Sequence, residues 1–158
     1  VESMRLDQMF KKEFLIDNLV SNDKADVLAE LINVVIRTGL KIDRDKAIDV
    51  LQQREKLGST GIGDGVAIPH GKISELQDLV VAFGRSKNGI AFDAIDGKPV
   101  NLFFLLLAPE NSTGQHLKAL AKISKMLKTP NFRKKLNDAK TTGDLYKAII
   151  EQDESYPL

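Results

Sequence analysis

Arg54-Glu55-Lys56-Leu57-Gly58-Ser59-Thr60-Gly61-Ile62-Gly63-Asp64-Gly65-Val66-Ala67-Ile68-Pro69-His70-Gly71-Lys72 is the stretch from which the rest of the chain is read. Glycines at 58, 61, 63 and 65 crowd its first half, and the apolar run Val66-Ala67-Ile68 leads into Pro69 and His70. Glycine permits backbone conformations and close approaches that a side chain forbids. Proline fixes its own φ, removes an N–H donor and holds the preceding residue extended. The pattern predicts His70 at the end of a strand, on a stiff backbone with Gly71 beside it. That is a good setting for a reactive imidazole.

Upstream, the spacing predicts a helix from Asp43 to Gly58 with Ala47, Val50 and Leu51 on its buried stripe. One turn on, that stripe arrives at Arg54. Either Arg54 lays its stem on the core with its charge in water, or its guanidinium is aimed at whatever sits beside the glycine loop. Periodicity alone leaves both open. Further back, Leu6, Met9 and Phe10 form a short amphipathic opening, and Phe14-Leu15-Ile16 reads as a brief strand. Ser21-Asn22-Asp23 offers N-caps for a helix carrying Val27, Leu28, Leu31, Val34 and Val35, with Gly39 as its stop.

Downstream, Leu79-Val80-Val81-Ala82-Phe83 reads as a buried strand, Asn88-Gly89 as a turn, and Ile90 and Phe92 as extended. Asp96-Gly97 is a hairpin signal, and Val100 to Leu107 is the expected central strand. Ser112-Thr113-Gly114-Gln115 has the form of a capping box before a helix with Leu117, Leu120, Ala121, Ser124 and Leu127 as its core face. Thr129-Pro130 starts a short helix bearing Phe132 and Leu136. Thr141-Thr142-Gly143-Asp144 caps a last one with Leu145, Ala148 and Ile149. This alternation gives an α/β fold.

The chain has 158 residues, 42% of them hydrophobic, and at this size about 70% of the unfolded surface can be buried in one core. A single domain over 1–158 is expected. There are no cysteines, so disulfides, thiol catalysis and Cys-ligated zinc are excluded. Net charge is +1, no cationic head precedes an apolar run, and the longest such run, Leu102 to Ala108, falls far short of the roughly 20 residues a membrane helix needs. A soluble, cytoplasmic protein without direct membrane insertion is expected. Val1-Glu2-Ser3 reads as a leader foreign to the native chain, with Met4 as the native start.

Only two histidines are present, His70 and His116, the latter in the first turn of its helix near unpaired N–H groups. The glycine stretch is not a Walker loop: Gly65 to Gly71-Lys72 is one residue too long, contains Pro69 and ends in Ile73. Nor does it fit the dinucleotide pattern. Ser59, Thr60 and consecutive backbone N–H groups could still cradle a single phosphoryl group. A rival reading joins His70, His116 and Asp64 into a metal site of a metal-dependent hydrolase. Lys118, Lys122 and Lys125 form a stripe read as a solvated face, or else as steering for an acidic partner. Aromatics are 6% and do not interleave with basic residues, which argues against nucleic acid as a partner.

Gly61-Ile62-Gly63-Asp64-Gly65-Val66-Ala67-Ile68-Pro69-His70-Gly71 resembles the phosphorylation-site signature of the enzyme IIA domains of the bacterial phosphotransferase system, mannitol/fructose class. Arg54 to Thr60 resembles the segment preceding the active histidine, and Gln115-His116-Leu117 the second-histidine segment. Ile90-Ala91-Phe92-Asp93-Ala94-Ile95-Asp96 with Pro99-Val100 is particularly similar to the nitrogen-regulatory branch. The resemblance covers about residues 6–150.

It implies a mixed parallel/antiparallel β-sheet flanked by α-helices. It implies that His70 accepts the phosphoryl group through Nε2, with His116 as supporting partner and Arg54 lining the site. Asp64 falls where the mannitol branch carries a glutamate, and Ser59 and Thr60 line the loop. The implied activity is that of a phosphocarrier and regulator charged by an HPr-like phosphocarrier protein, with no cofactor. Its phosphorylation state would select targets such as potassium-transport components or sensor kinases. The alternative is onward transfer to a sugar-transporting enzyme IIB.

Overall fold

The computed structural model describes residues 5–156; the reading of Val1-Glu2-Ser3 and Met4 lies outside them. A six-stranded mixed sheet is built around β6 (Val100–Ala108). Leu102 to Ala108 are wholly buried, which is why this run is apolar throughout rather than alternating. On one side β6 pairs antiparallel with β5 (Val80–Ile90), which in turn pairs parallel with β1 (Phe10–Ile16). On the other it pairs parallel with two short strands, β3 (Val66–Ala67) and β4 (His70–Lys72), and β2 (Gly61–Gly63) closes that edge antiparallel to β3. The α/β class and the mixed sheet expected from the sequence are what the fold shows.

Two helical groups cover the sheet. Helices α1 (Lys24–Arg37) and α2 (Arg44–Lys56) pack on each other, α1 reaching β1 and β5 and α2 reaching β4. Helices α3 (Thr113–Leu127), α4 (Pro130–Asp138) and α5 (Thr142–Glu154) contact β6, β5 and β1. Asp23, Asp43 and Thr141 cap α1, α2 and α5 by accepting the N–H groups of Asp26, Lys46 and Asp144 at 2.8, 3.1 and 3.0 Å.

Four expectations change. His70 opens β4 rather than ending a strand. Pro69 has no N–H, so pairing with β6 lapses at Ile68, whose N–H goes to the Thr60 carbonyl at 3.1 Å. The Pro69 carbonyl still accepts Leu106 N–H at 3.0 Å, and pairing resumes at His70 opposite Leu106.

Asn88-Gly89 is no turn. It lies inside β5 where the register with β6 breaks between Arg85 and Ile90, and Gly89 takes a φ of +81°. A Cβ at Gly89 would stand 2.8 Å from the Cβ of Pro99, so only glycine fits. The Asp96-Gly97 reversal does join β5 to β6, with Gly97 at φ +72°.

The capping box before α3 does not form, because the Ser112 hydroxyl donates to the Pro109 carbonyl at 2.7 Å instead of capping the helix. The core face of α3 is also rotated from the expected one. His116, Ala119, Lys122, Ile123, Met126 and Leu127 are buried, while Leu117 is 62% exposed. Lys122 is therefore not part of a solvated stripe with Lys118 and Lys125. It is buried against Asp153 of α5.

Candidate functional site

Gly71 is where α2 meets the sheet. A Cβ there would lie 2.5 Å from Val50 Cγ1, so the missing side chain is what lets the helix press onto β4. Residues four apart share a helix face, and the turn after Val50 brings Arg54 over His70. Arg54 Nε donates to His70 Nε2 at 3.3 Å, and Arg54 Nη1 donates to the Gly58 carbonyl at 2.8 Å. Of the two readings of Arg54, the aimed guanidinium is the one the structure adopts.

The other ring nitrogen of His70 is fixed by the backbone. Nδ1 lies 2.7 Å from the Ile68 carbonyl, and since a carbonyl only accepts, Nδ1 carries the proton. Nε2 is left with the lone pair. The His116 ring stands 5.5 Å away between centroids at 73°, edge toward face. His116 is buried, and among the described residues its Nε2 has no hydrogen-bond partner. Lys72, two residues along β4 and so on the same face as His70, donates from Nζ to Thr113 Oγ1 at the first turn of α3 at 2.7 Å. Ser112 places no side-chain cap on that turn, and the leading N–H groups of a helix have no intrahelical partner.

Both imidazoles are held below the ordinary histidine range. For His70 burial is the main cause; the Ile68 carbonyl opposes it, Arg54 adds to it and Glu55 opposes it. For His116 the cause is burial, then His70 and Lys72. Both rings are neutral at neutral pH, which keeps the Nε2 lone pair of His70 available.

A stability prediction follows. A histidine whose folded pKa is depressed binds its proton more readily when unfolded, so stability rises with pH across the gap. The contribution is complete above the unfolded value of 6.5 and is lost as the pH falls through the depressed folded values. Denaturant unfolding at pH about 7.5 and about 5.5 should show a drop on acidification that His70→Ala/His116→Ala reduces. An unchanged drop in the double variant would refute this assignment.

The loop residues are placed differently from the expectation. Ser59 Oγ donates to the Phe92 carbonyl at 2.7 Å and accepts Gly61 N–H at 3.0 Å, and the Thr60 hydroxyl is bound to the Glu55 carboxylate. Neither hydroxyl is directed at His70. Asp64 sits at φ +58° in the β2–β3 turn, its N–H on Asp96 Oδ2 at 3.1 Å. Val66 is opposite Leu102 and His70 opposite Leu106, so Asp64 lies about 13 Å or more from His70 along the strands. Among the described residues no group of three or more histidine, aspartate or glutamate side chains could hold a metal ion. The metal-site reading of His70, His116 and Asp64 is thereby overturned.

Two neighbours escaped the sequence reading. Lys72 was visible only as a residue two on from His70. Glu55 continues the i, i+4 stripe Ala47–Leu51 and is 8% exposed. That spacing was the available signal.

Comparison with known proteins relates the chain as a whole to a family. Residues 8–152 match the model of the phosphoenolpyruvate-dependent sugar phosphotransferase system, EIIA 2. The nitrogen regulatory protein of Bradyrhizobium diazoefficiens is 39% identical over 147 residues, covering 92% of this chain and 95% of that one. The PTS system fructose-specific EIIABC component of Bacillus subtilis is 33% identical over 151 residues, covering 96% of this chain but only 24% of that protein. Among solved structures, the nitrogen regulatory protein IIA-Ntr from Neisseria meningitidis superposes with a TM-score of 0.83 at 32% identity, covering 90% of this chain and 97% of that one.

Proposed function

Since the chain belongs to the type 2 enzyme IIA family of the phosphoenolpyruvate-dependent sugar phosphotransferase system, we propose that its phosphocarrier chemistry takes place at His70 Nε2. The observation that carries this reading is the tautomer: the Ile68 carbonyl holds the Nδ1 proton and leaves the Nε2 lone pair under Arg54. In the transfer, Nε2 attacks the phosphorus of a phosphohistidine on an HPr-like carrier. The N–P bond of the donor breaks and its imidazole nitrogen keeps the electron pair. His70 retains its Nδ1 proton, so the ring becomes a phosphoimidazolium whose positive charge is stabilised by the Ile68 carbonyl.

The transition state is loose, so the protein chiefly positions the group and neutralises its charge. Arg54 Nε–H must leave the lone pair and move onto a phosphoryl oxygen. His116, the first turn of α3 and Lys72 supply further donors or positive charge. Leu57 at 85% exposure and Leu117 at 62% follow the arginine and the second histidine in sequence and offer apolar ground for a docking protein.

Phosphorylation adds roughly −1.5 to −2 charges at one rigid spot. We infer that this charge selects partners, with regulatory targets such as potassium-transport components or sensor kinases. The likeness to nitrogen regulatory proteins favours that outcome. The likeness to a fructose-specific component favours onward transfer to an enzyme IIB as the second reading.

Incubation with the general phosphotransferase proteins and labelled phosphoenolpyruvate should place an acid-labile phosphoryl group on the wild type. No label in the presence of active carriers would refute the proposal, and pull-downs in both states, with an enzyme IIB as one bait, separate regulation from sugar transfer. In the same assay His116→Ala and Arg54→Met should each lower kcat about 10²-fold, the scale for losing one charge-stabilising donor. Carrier KM should barely move. Rates indistinguishable from wild type would remove the residue from the site.

A further inference from the structure

Resting on the reading that His70 accepts the phosphoryl group, we propose that Glu55 is a positioning residue for the transfer. Its buried carboxylate, clamped by Lys24 and Thr60, fixes the loop whose Gly58 carbonyl holds Arg54 on His70. A carboxylate at 8% exposure is costly to bury unless it is paired and hydrogen-bonded. Glu55 has three such partners: Thr60 N–H at 3.0 Å, the Thr60 hydroxyl, and Lys24 Nζ at 3.1 Å. Lys24, the first residue of α1, is itself held by Asp93 at 3.5 Å and by the face of Phe92 at 4.7 Å. The clamp therefore ties α1, the end of α2 and the glycine loop together.

The span it closes, Glu55 to Thr60, contains the anchor of the guanidinium. Gly58 N–H bonds back to the Glu55 carbonyl at 3.1 Å, and Gly58 sits at φ +146°, a conformation open to glycine. This orientation turns the Gly58 carbonyl onto Arg54 Nη1 at 2.8 Å. An arginine stem has many rotamers, and the second contact is what confines Nε to His70 Nε2 at 3.3 Å. A hydrocarbon at position 55 would extend the Ala47–Leu51 stripe and fill the same space. The carboxylate adds a fixed position for the loop.

The test uses Glu55→Gln, which keeps size and removes the charge, and Thr60→Val, which keeps shape and removes the hydroxyl. Both should lower kcat for phosphorylation about tenfold or more, well below melting, with carrier KM changed by no more than about twofold, as expected when a reacting group is misplaced by up to an ångström. Thr60→Ser, which restores the hydroxyl, should recover most of the rate. Solvent exchange of the Arg54 Nε–H, read by nitrogen-15 NMR on uncharged protein, should accelerate in both variants and return in Thr60→Ser. Wild-type kcat and Arg54 exchange in folded variants would overturn the proposal, however far the melting temperature falls. If Glu55→Gln does not fold, Thr60→Val decides. If the wild type itself takes no label, the reading of His70 fails, and the Arg54 exchange measurement still decides the part assigned to Glu55.

Discussion

His70→Ala will take up no phosphoryl group from a charged carrier, under conditions in which the wild type is labelled. Deleting a covalent nucleophile removes the reaction path rather than weakening one contact, and the loss should exceed about 10³-fold. The chain has no cysteine to serve as a substitute nucleophile, and the remaining imidazole, His116, is 7% exposed with its Nε2 covered. The variant should nevertheless fold. The ring is only partly buried and its backbone pairs with β6 through main-chain atoms, so its removal should cost about 1 kcal/mol. Residual label on folded His70→Ala would put the acceptor elsewhere. A substitution such as His70→Asp should reproduce the charged state poorly, since it supplies one negative charge where a phosphoryl group brings roughly −1.5 to −2.

The frame of this site was readable from residues because its requirements are local. Pro69 and the glycines dictate backbone shape, and an uninterrupted apolar run such as Leu102 to Ala108 has few places to go but the centre of a sheet. What could not be read was rotational phase. Around α3 an error of one position interchanged Leu117, which faces solvent, with His116, which does not. It also set Lys122 in water when it lies in the core. A helical stripe tolerates a buried lysine if a carboxylate from a distant element meets it, and nothing in the sequence ties Asp153 to Lys122. The same limit hid Glu55, whose partner Lys24 belongs to the preceding helix. Ser59 and Thr60 were read as phosphate donors because hydroxyls beside glycines can serve so. Their real acceptors, Phe92 and Glu55, are tertiary facts.

The largest stability effect outside the site should come from that buried pair. Lys122 and Asp153 side chains are each 1% exposed, and Asp153 Oδ2 also accepts Leu6 N–H at 3.0 Å. One carboxylate thus joins α3, α5 and the 3-10 turn Leu6–Gln8. Asp153→Ala removes the carboxylate from a buried cation and should cost about 3–5 kcal/mol, a large share of a domain's stability. Lys122→Met/Asp153→Leu, which replaces both charges by hydrocarbon, should cost far less than Asp153→Ala, because the attraction in a buried pair mainly offsets the cost of desolvating it. Urea unfolding at neutral pH measures both. A loss below about 1 kcal/mol for Asp153→Ala would mean that the cation reaches water or another acceptor. Labelling of His70 separates stability from chemistry: Lys122 lies about 1.7 turns along α3 from His116, so the folded fraction of either variant should accept phosphoryl groups at close to the wild-type rate. A drop in that rate would mean that the seating of α3 on α5 sets the position of the His116 ring.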